Sequence, residues 1–183
     1  MGKIISNFFI AFDGVVERPD QWHFPYFDDA MGAIVGQGMQ TQTSFLMGRR
    51  LYDEWSQYWP QQGPEVPFSE HINNLPKYVI THRPIEGELW TNTTNLGADP
   101  VEELRRIKES SDGDIGMSGC ATTVRWLLAK DLIDELALLV HPIAVGKGQR
   151  LFEDTPTTPL TLLSHEALPS GVLHLRYAPA KAG

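Results

Sequence analysis

The residues best suited to chemistry lie between Gly113 and Phe152, where a short apolar run is followed by a glycine turn and a helical pattern. Asp114–Met117 is typical of a strand, Ser118-Gly119 interrupts it, and Thr122–Lys130 carries apolar residues at helical spacing. A helix that starts at such a turn leaves backbone N–H groups unpaired at its positive end. These groups can bind a phosphate, although many α/β folds contain the same turn without a ligand. Both interpretations stay open from this pattern alone.

A second helix start of the same kind lies at Gly48-Arg49-Arg50. Thr43–Met47 predicts a strand before it, and a helix is predicted from there through Trp59, with Pro60 ending it. Two arginines at a helix start oppose the helix dipole, which is unfavourable unless an anion is bound there. The arrangement therefore favours an anion site over a solvated surface.

A third polar group, Thr81-His82-Arg83, follows the predicted strand Lys77–Thr81. The carboxyl ends of strands in an open α/β sheet are where nucleotides bind. An exposed loop before Pro84 explains the same residues equally well.

Other reactive side chains give weaker signals. Cys120 follows Gly119 at a helix start, where the pKa of a thiol is lowered, but no histidine is near in sequence, so a small buried residue is favoured over a nucleophile. Asp13 opens an Asp-Gly turn. Asp28 and Asp29 lie in the first turn of a helix predicted over 25–35, where the dipole favours carboxylates whatever their function. The histidines lack H-x-x-x-H and H-x-H spacing, so no metal site is predicted.

Composition restricts the class of protein. The 183 residues suit one domain, and a net charge of −8 disfavours a nucleic-acid partner. The single cysteine excludes an internal disulfide and fits a reducing cytoplasm. No secretion signal is seen at the start of the sequence, and no apolar stretch approaches the roughly 20 residues of a membrane span. A cytoplasmic protein without membrane contact is therefore expected.

The remaining pattern predicts an α/β fold. Glu135–Val140 is almost entirely apolar, as in a strand that is covered on both faces. Further strands are expected at Lys3–Phe12 and Leu89–Asn92, and a hairpin at Leu160–Leu163 and Val172–Tyr177. Gly36–Gln42 is expected to be a link. A helix is predicted after Asp99-Pro100, with Asp99 as its N-cap.

The segment LIDELALLVHPIAVGKGQRLF resembles the dihydrofolate-reductase-like family, within it the group related to the C-terminal reductase domain of the bacterial bifunctional riboflavin-biosynthesis deaminase-reductase. The matching positions are Leu132, Asp134, Glu135, Pro142, Gly146, Gly148, Leu151 and Phe152. The resemblance implies a single domain over residues 1–178, with a mixed, mostly parallel sheet of about eight strands, helices on both faces and a C-terminal β-hairpin. Residues 179–183 are then expected to be a loose tail.

The resemblance also implies an NADPH-dependent reductase that transfers hydride to a small nitrogen heterocycle. The related activities are 5-amino-6-(5-phosphoribosylamino)uracil reductase of riboflavin biosynthesis and dihydrofolate reductase, so the substrate expected is a pyrimidine or a pterin. Gly48, Arg49, Arg50 and Tyr52 match the family segment G-R-x-T-(Y/W)-E, but Leu51 replaces the threonine, which removes one phosphate hydrogen bond. A non-enzymatic nucleotide-binding or regulatory protein on the same fold is the alternative.

Residue roles follow from the same resemblance. Arg83, with Thr81, is expected to contact the 2′-phosphate of NADPH, and the loop at Asp13 to lie over the nicotinamide. Asp13 and Asp28 are the weak candidates for catalysis. The expected cofactor-binding residues are Gly48, Arg49, Arg50, Thr81, His82, Arg83, Ser118, Gly119, Cys120, Ala121, Thr122 and Thr123. Relatives commonly pair, so a homodimer is expected.

Overall fold

The computed structural model describes residues 1–97 and 99–180. Its strands are β1 (Ile4–Ala11), β2 (Gln42–Gly48), β3 (Lys77–Ile80), β4 (Thr93–Gly97), β5 (Asp114–Ser118), β6 (Glu135–His141), β7 (Leu160–Ala167) and β8 (Leu173–Pro179). Its α-helices are α1 (Asp29–Gln40), α2 (Arg49–Tyr58), α3 (Ser69–Asn74), α4 (Val101–Ser110) and α5 (Ala121–Leu128). None of the described helices has the length and apolar character needed to cross a membrane.

The eight strands form one sheet in the order β4-β3-β2-β5-β1-β6-β8-β7. The first six strands of the chain pair in parallel, whereas β8 pairs antiparallel with both β6 and β7. The predicted α/β class, the mixed and mostly parallel sheet, and the C-terminal β-hairpin are therefore confirmed.

Helices cover both faces of the sheet because side chains alternate along each strand. Phe8 of β1 packs with α4 and α5 through Leu104 and Val124, whereas its neighbour Phe9 packs with residues of α1. β2 alternates in the same way, since Leu46 joins the first cluster and Phe45 joins Tyr52 of α2. β6 is buried along almost its whole length, as its uninterrupted apolar run predicts.

Several predicted element boundaries are wrong, and α1 begins at Asp29 instead of residue 25. α1 continues through Gly36 and Gly38 to Gln40, because Ile34, Val35 and Met39 pack against apolar clusters and this burial outweighs the helix cost of glycine. β4 begins at Thr93 instead of occupying Leu89–Asn92. Within that segment Trp90 is buried by side-chain packing, and its indole donates to the Asn73 side chain.

α4 also differs from its prediction. Pro100 is the N-cap in place of Asp99, and no side chain caps the helix. At the other end of the chain, Pro179 still belongs to β8, and residues 181–183 of the predicted tail lie outside the described residues.

A buried lysine connects three segments beside β3. Lys77 is fully buried, and its Nζ donates to the carbonyl oxygens of Asn73, Leu75 and Thr91 at 2.7, 2.8 and 3.1 Å. The same Nζ lies 4.3 Å from the centre of the Trp90 ring. Burial lowers the pKa of Lys77 from 10.5 to about 8. The Lys77 ammonium group therefore holds the end of α3 to the loop before β4, although burial disfavours its charged form.

Lys77→Met should lower the free energy of unfolding at pH 7 by about 2 kcal/mol, because three carbonyl groups lose their donor. Between pH 8 and 10.5 the folded chain binds fewer protons at Lys77 than the unfolded chain does, so this residue makes stability rise with pH. The difference in free energy of unfolding between the wild type and Lys77→Met, measured with urea, should therefore increase as pH rises through this window. Lys147→Met removes an exposed lysine as a control. A stability difference that stays constant with pH would contradict the assignment.

Candidate functional site

Two helix starts meet at one edge of the sheet because their strands are neighbours. β2 and β5 pair in parallel, so α2 and α5 both begin at the carboxyl ends of adjacent strands. The N-cap residues are Gly48 for α2 and Cys120 for α5, and neither helix has a side-chain cap. The first N–H groups of both helices therefore lack the usual side-chain acceptor and are available to an anion.

The two turns touch each other. A Cβ atom built on Gly48 would overlap the Thr123 hydroxyl oxygen and lie 3.0 Å from Cys120 Sγ. Cys120 Sγ and Thr123 Oγ1 are themselves 2.9 Å apart, and Cys120 adopts a left-handed conformation with φ 64°. The absence of a side chain at Gly48 thus permits the approach of the two turns.

An open cleft of about 950 Å³ lies beside these turns. One part of its wall is formed by Ser118–Thr123 of the β5–α5 turn and by Arg50 and Leu51 of α2. Gly119 has a φ of 68°, and a Cβ atom there would meet no other atom within 4 Å. The backbone of this turn is therefore accessible to a ligand.

Another part of the cleft lining is aromatic. It is lined by Phe9, His23, Trp55 and Trp59. The rings of Phe9 and His23 stack with centroids 4.5 Å apart and planes 18° apart. Burial, and to a lesser extent the nearby His141, lowers the pKa of His23 below its usual 6.5, so its ring is mostly neutral at pH 7. The cleft lining thus combines polar helix starts with flat aromatic rings.

The cationic side chains in the cleft are already paired. Arg50 contacts Glu54 at 3.3 Å and Glu17 at 3.6 Å, and Arg18 contacts Asp20 at 3.6 Å. Both guanidinium groups are mostly exposed, so these pairs are weak and can be exchanged for another anion. The backbone N–H groups at the two helix starts have no side-chain acceptor. An incoming anion therefore competes with fewer protein groups for them than for the guanidinium groups.

The structure divides the predicted cofactor residues into three groups. Arg50, Ser118, Gly119, Cys120, Ala121, Thr122 and Thr123 line the cleft. Gly48 lies behind them at the contact between the turns. The others do not form its lining: Arg49, Thr81, His82 and Arg83.

Arg49 holds the β3 end against α2. Its Nε donates to Asp53 at 2.7 Å, and its Nη1 donates to the carbonyl oxygens of Arg83 at 3.3 Å and Pro84 at 2.7 Å. Thr81 is buried, and its hydroxyl accepts a hydrogen bond from the backbone N–H of Arg83. The side chains of His82 and Arg83 are exposed.

The two candidate catalytic carboxylates have structural partners. Asp13 accepts from the backbone N–H of Gly146 at 2.7 Å, and this bond is the main cause of its lowered pKa. Asp28 caps α1 by accepting from the N–H of Met31 at 2.8 Å, which lowers its pKa in the same way. Neither residue lines the cleft, and a lowered pKa is unfavourable for a proton donor.

Several lining residues escaped the sequence prediction. Asn7 of β1 lies in the cleft wall, and Gln149 donates from Nε2 to Thr122 Oγ1 at 3.1 Å. Glu17 accepts from the backbone N–H of Gln149 at 3.0 Å, which joins the loop after β1 to the loop after β6. For these missed lining residues, the sequence held one signal: Asn7 is a polar residue on a strand face that is otherwise apolar. Among the described residues no group of three His, Cys, Asp or Glu side chains could hold a metal ion.

Comparison with known proteins identifies the family of this chain. The family model described as RibD C-terminal domain matches residues 2–174. The uncharacterized protein YyaP of Bacillus subtilis (strain 168) is 25% identical over 182 residues, covering 96% of this chain and 94% of that protein. The family resemblance seen in the sequence is therefore confirmed.

Two solved structures share the fold at low identity. A pyrimidine reductase-like protein from Corynebacterium diphtheriae has a TM-score of 0.68 and 14% identity, covering 99% of this chain and 93% of its own. Dihydrofolate reductase from Enterococcus faecalis, complexed with NADP(H), has a TM-score of 0.62 and 14% identity, covering 98% of both chains. Such identities establish the architecture alone.

Gly48→Ala should destabilise the chain by roughly 1–3 kcal/mol, because its Cβ overlaps the Thr123 hydroxyl and separates the two turns. Thr123→Ala removes that oxygen, so the double variant should recover part of the loss in a thermal-unfolding cycle. Gly38→Ala is the matched control, because its Cβ meets no atom within 4 Å and alanine favours a helix. Strictly additive effects of Gly48→Ala and Thr123→Ala would show that the turns do not touch.

Proposed function

Because the chain belongs to the RibD C-terminal domain family, we propose that it is an NADPH-dependent reductase that delivers hydride to a small, flat nitrogen heterocycle. The family and the fold support a reductase-like function, and the cofactor and the substrate are the specific parts of this proposal. One observation carries it: two helix starts without side-chain caps line or adjoin a single cleft whose lining also includes aromatic rings.

The residues present fit a dinucleotide phosphate. The backbone N–H groups in the first turns of α2 and α5 would hold the pyrophosphate, with the Arg50 guanidinium beside them. The open backbone at Gly119 allows a phosphate to approach closely. Phe9 and His23 would pack against the nicotinamide ring and exclude water from it. NADPH would supply the hydride, and the protein would supply binding and orientation.

Specificity for the 2′-phosphate is assigned to Arg83. Its side chain is exposed, and the loop that carries it is held beside α2 by Arg49. An exposed guanidinium can form a charge-assisted hydrogen bond to a phosphate. An exposed Arg83 therefore supports a preference for NADPH over NADH.

The proposed homodimer fits the free edge of the sheet. β7 lies at the end of the strand order, and its Leu162 and Leu163 are about half exposed. An exposed edge strand with leucines is open to pairing with another chain.

A non-enzymatic nucleotide-binding protein is the second candidate. Three carboxylates, Glu17, Asp20 and Glu54, line the cleft, and Leu51 occupies the position of the family's threonine hydroxyl. None of the described residues of α1 contributes a carboxylate to the cleft. NADPH binding without oxidation in the presence of any pyrimidine or pterin would favour this candidate.

NADPH should quench the fluorescence of Trp55 and Trp59 and saturate below about 1 mM. Arg83→Ala should weaken NADPH binding about tenfold or more, since a charge-assisted bond is lost. The same variant should change the affinity for NADH less than about twofold. Arg106→Ala, which removes an exposed arginine of α4, is the control. Absence of saturation ends the reductase proposal, and equal losses for both cofactors remove the role of Arg83.

Leu51→Thr should tighten NADPH binding by about two- to tenfold, because the hydroxyl restores one neutral hydrogen bond at the start of α2. Leu51→Val is the matched control, since it has the shape of threonine and no hydroxyl. Both variants need an unfolding measurement, because Leu51 packs in the cluster of Phe45 and Tyr52. An equal change in affinity for the two variants would show that no phosphate lies within reach of this position.

A further inference from the structure

Two buried histidines join the loop after β1 to the end of β6. His23 lies in this loop, which covers residues 12–28, and is 6% exposed. His141 is the last residue of β6 and is fully buried. The centroids of the two rings are 6.1 Å apart, and their planes are at 86°. The pair therefore connects two segments that are far apart in the sequence.

Aromatic rings enclose His141. The rings of Phe9, Trp22 and Tyr26 lie 5.8, 5.2 and 5.7 Å from it, with interplanar angles between 75° and 83°. His23 itself stacks on Phe9. These five residues are called the histidine cluster below. Because Trp22, His23 and Tyr26 all belong to the loop, the cluster packs the loop against β1 and β6.

The charged form of each histidine lacks an acceptor inside the cluster. His141 Nδ1 donates to the carbonyl oxygen of Leu139 at 2.8 Å, so a second proton would be added at Nε2. His141 Nε2 and His23 Nδ1 are both buried, and no acceptor among residues 1–97 and 99–180 is within hydrogen-bond distance of either nitrogen. Each charged ring would therefore carry a buried N–H without a partner, which is costly.

The ionisable groups around the cluster do not offset this cost. Asp20 favours the charged form of His23, but its carboxylate is mostly exposed and contacts Arg18 at 3.6 Å. Tyr26 faces His141 with its ring. Burial is the main cause that lowers the pKa of both histidines below 6.5, and a charge on His141 lowers the pKa of His23 further. Both rings are therefore mostly neutral at pH 7.

The loop that the cluster holds also forms part of the cofactor cleft. Val16–Asp20 and His23 line this cleft. Within that segment, Glu17 accepts from the N–H of Gln149 and contacts Arg50 at the start of α2. A change in the packing of the loop would therefore change the wall of the cleft and the surroundings of Arg50.

We propose that His23 and His141 form a pH sensor that regulates the cofactor cleft: in mild acid both rings become charged, the loop is released from β1 and β6, and the cofactor binds less tightly. The effect on the cofactor rests on the function proposed above, whereas the release of the loop does not. In the released loop the two rings are solvated and take up protons at the ordinary histidine pKa of about 6.5. Acid favours the released form because that form binds more protons than the packed form does.

Hydrogen exchange of the full chain at pH 7.5 and pH 5.8 measures the release. The reporting N–H groups belong to Trp22, His23, Tyr26 and Phe27, which donate to carbonyl oxygens within the loop. Each histidine can shift the equilibrium by at most about sixfold at pH 5.8. The protection factors, which correct for the chemical dependence of exchange on pH, should therefore fall at least fivefold in the wild type at pH 5.8.

Variants assign this response to the two histidines. His141→Phe keeps a ring in the cluster and removes its charge, so the fall in protection should be at least halved. In the double variant His23→Phe/His141→Phe, protection at the two pH values should agree within twofold. His165→Gln removes an exposed histidine of β7 and should respond as the wild type does. If the double variant fails to fold in a thermal melt, NMR titration of the wild-type imidazoles still decides, because two rings should gain protons below pH 6.5 together with the loss of protection.

Cofactor binding is measured with NADP⁺ at the same two pH values. The wild type should lose at least fivefold more affinity at pH 5.8 than the double variant does. This comparison between variants removes the contribution of the cofactor's own phosphate, which also titrates near pH 6.

The outcomes separate this inference from the reductase proposal. Unchanged protection in the wild type at pH 5.8, or an equal fall in the double variant, would overturn the sensor. An equal loss of NADP⁺ affinity in the wild type and the double variant would overturn its effect on the cleft. Absence of NADP⁺ binding at both pH values would instead remove the reductase proposal, and the exchange data would still decide whether the histidines release the loop.

Discussion

The close approach of the β2–α2 turn to the β5–α5 turn is the contact on which the rest of the candidate site depends. Parallel pairing of β2 with β5 brings both helix starts to one sheet edge, and Gly48 leaves room for Thr123 and Cys120 to pack against it. A wider separation would spread the same N–H groups over two unrelated surfaces. The contact thus brings the N–H groups of two ordinary helix starts together, as the proposed anion site requires.

Fixed backbone dipoles matter more in this cleft than net charge does. The arginines Arg18 and Arg50 are exposed and paired with carboxylates, so solvent screens what they offer to a ligand. The helix N–H groups cannot be neutralised by rotation of a side chain and have no side-chain acceptor in either helix. A chain with a net charge of −8 can therefore still present a local site for an anion.

The sequence revealed the parts of the fold in which local pattern and burial agree. The apolar run of β6 and the strand–turn–helix patterns at Ser118 and Gly48 are local in sequence and also buried. These elements could therefore be predicted from the sequence. α1 was predicted to end before Gly36 because glycine disfavours helices, but packing of Val35 and Met39 outweighs that preference. The Arg50–Glu17 pair of the cleft depends on a contact between distant segments and has no local signature.

One face of β1 forms a wall of the cleft and of a neighbouring cavity between α1 and the sheet. Asn7 and Phe9 are turned to the face that carries α1, so one strand forms a wall of the cleft and of the cavity beside it. Ile4 and Phe8 of the same strand are buried in the cluster of α4 and α5 on the other face, which fixes the strand in place. A ligand bound in either space thus contacts a wall that is anchored by the main core.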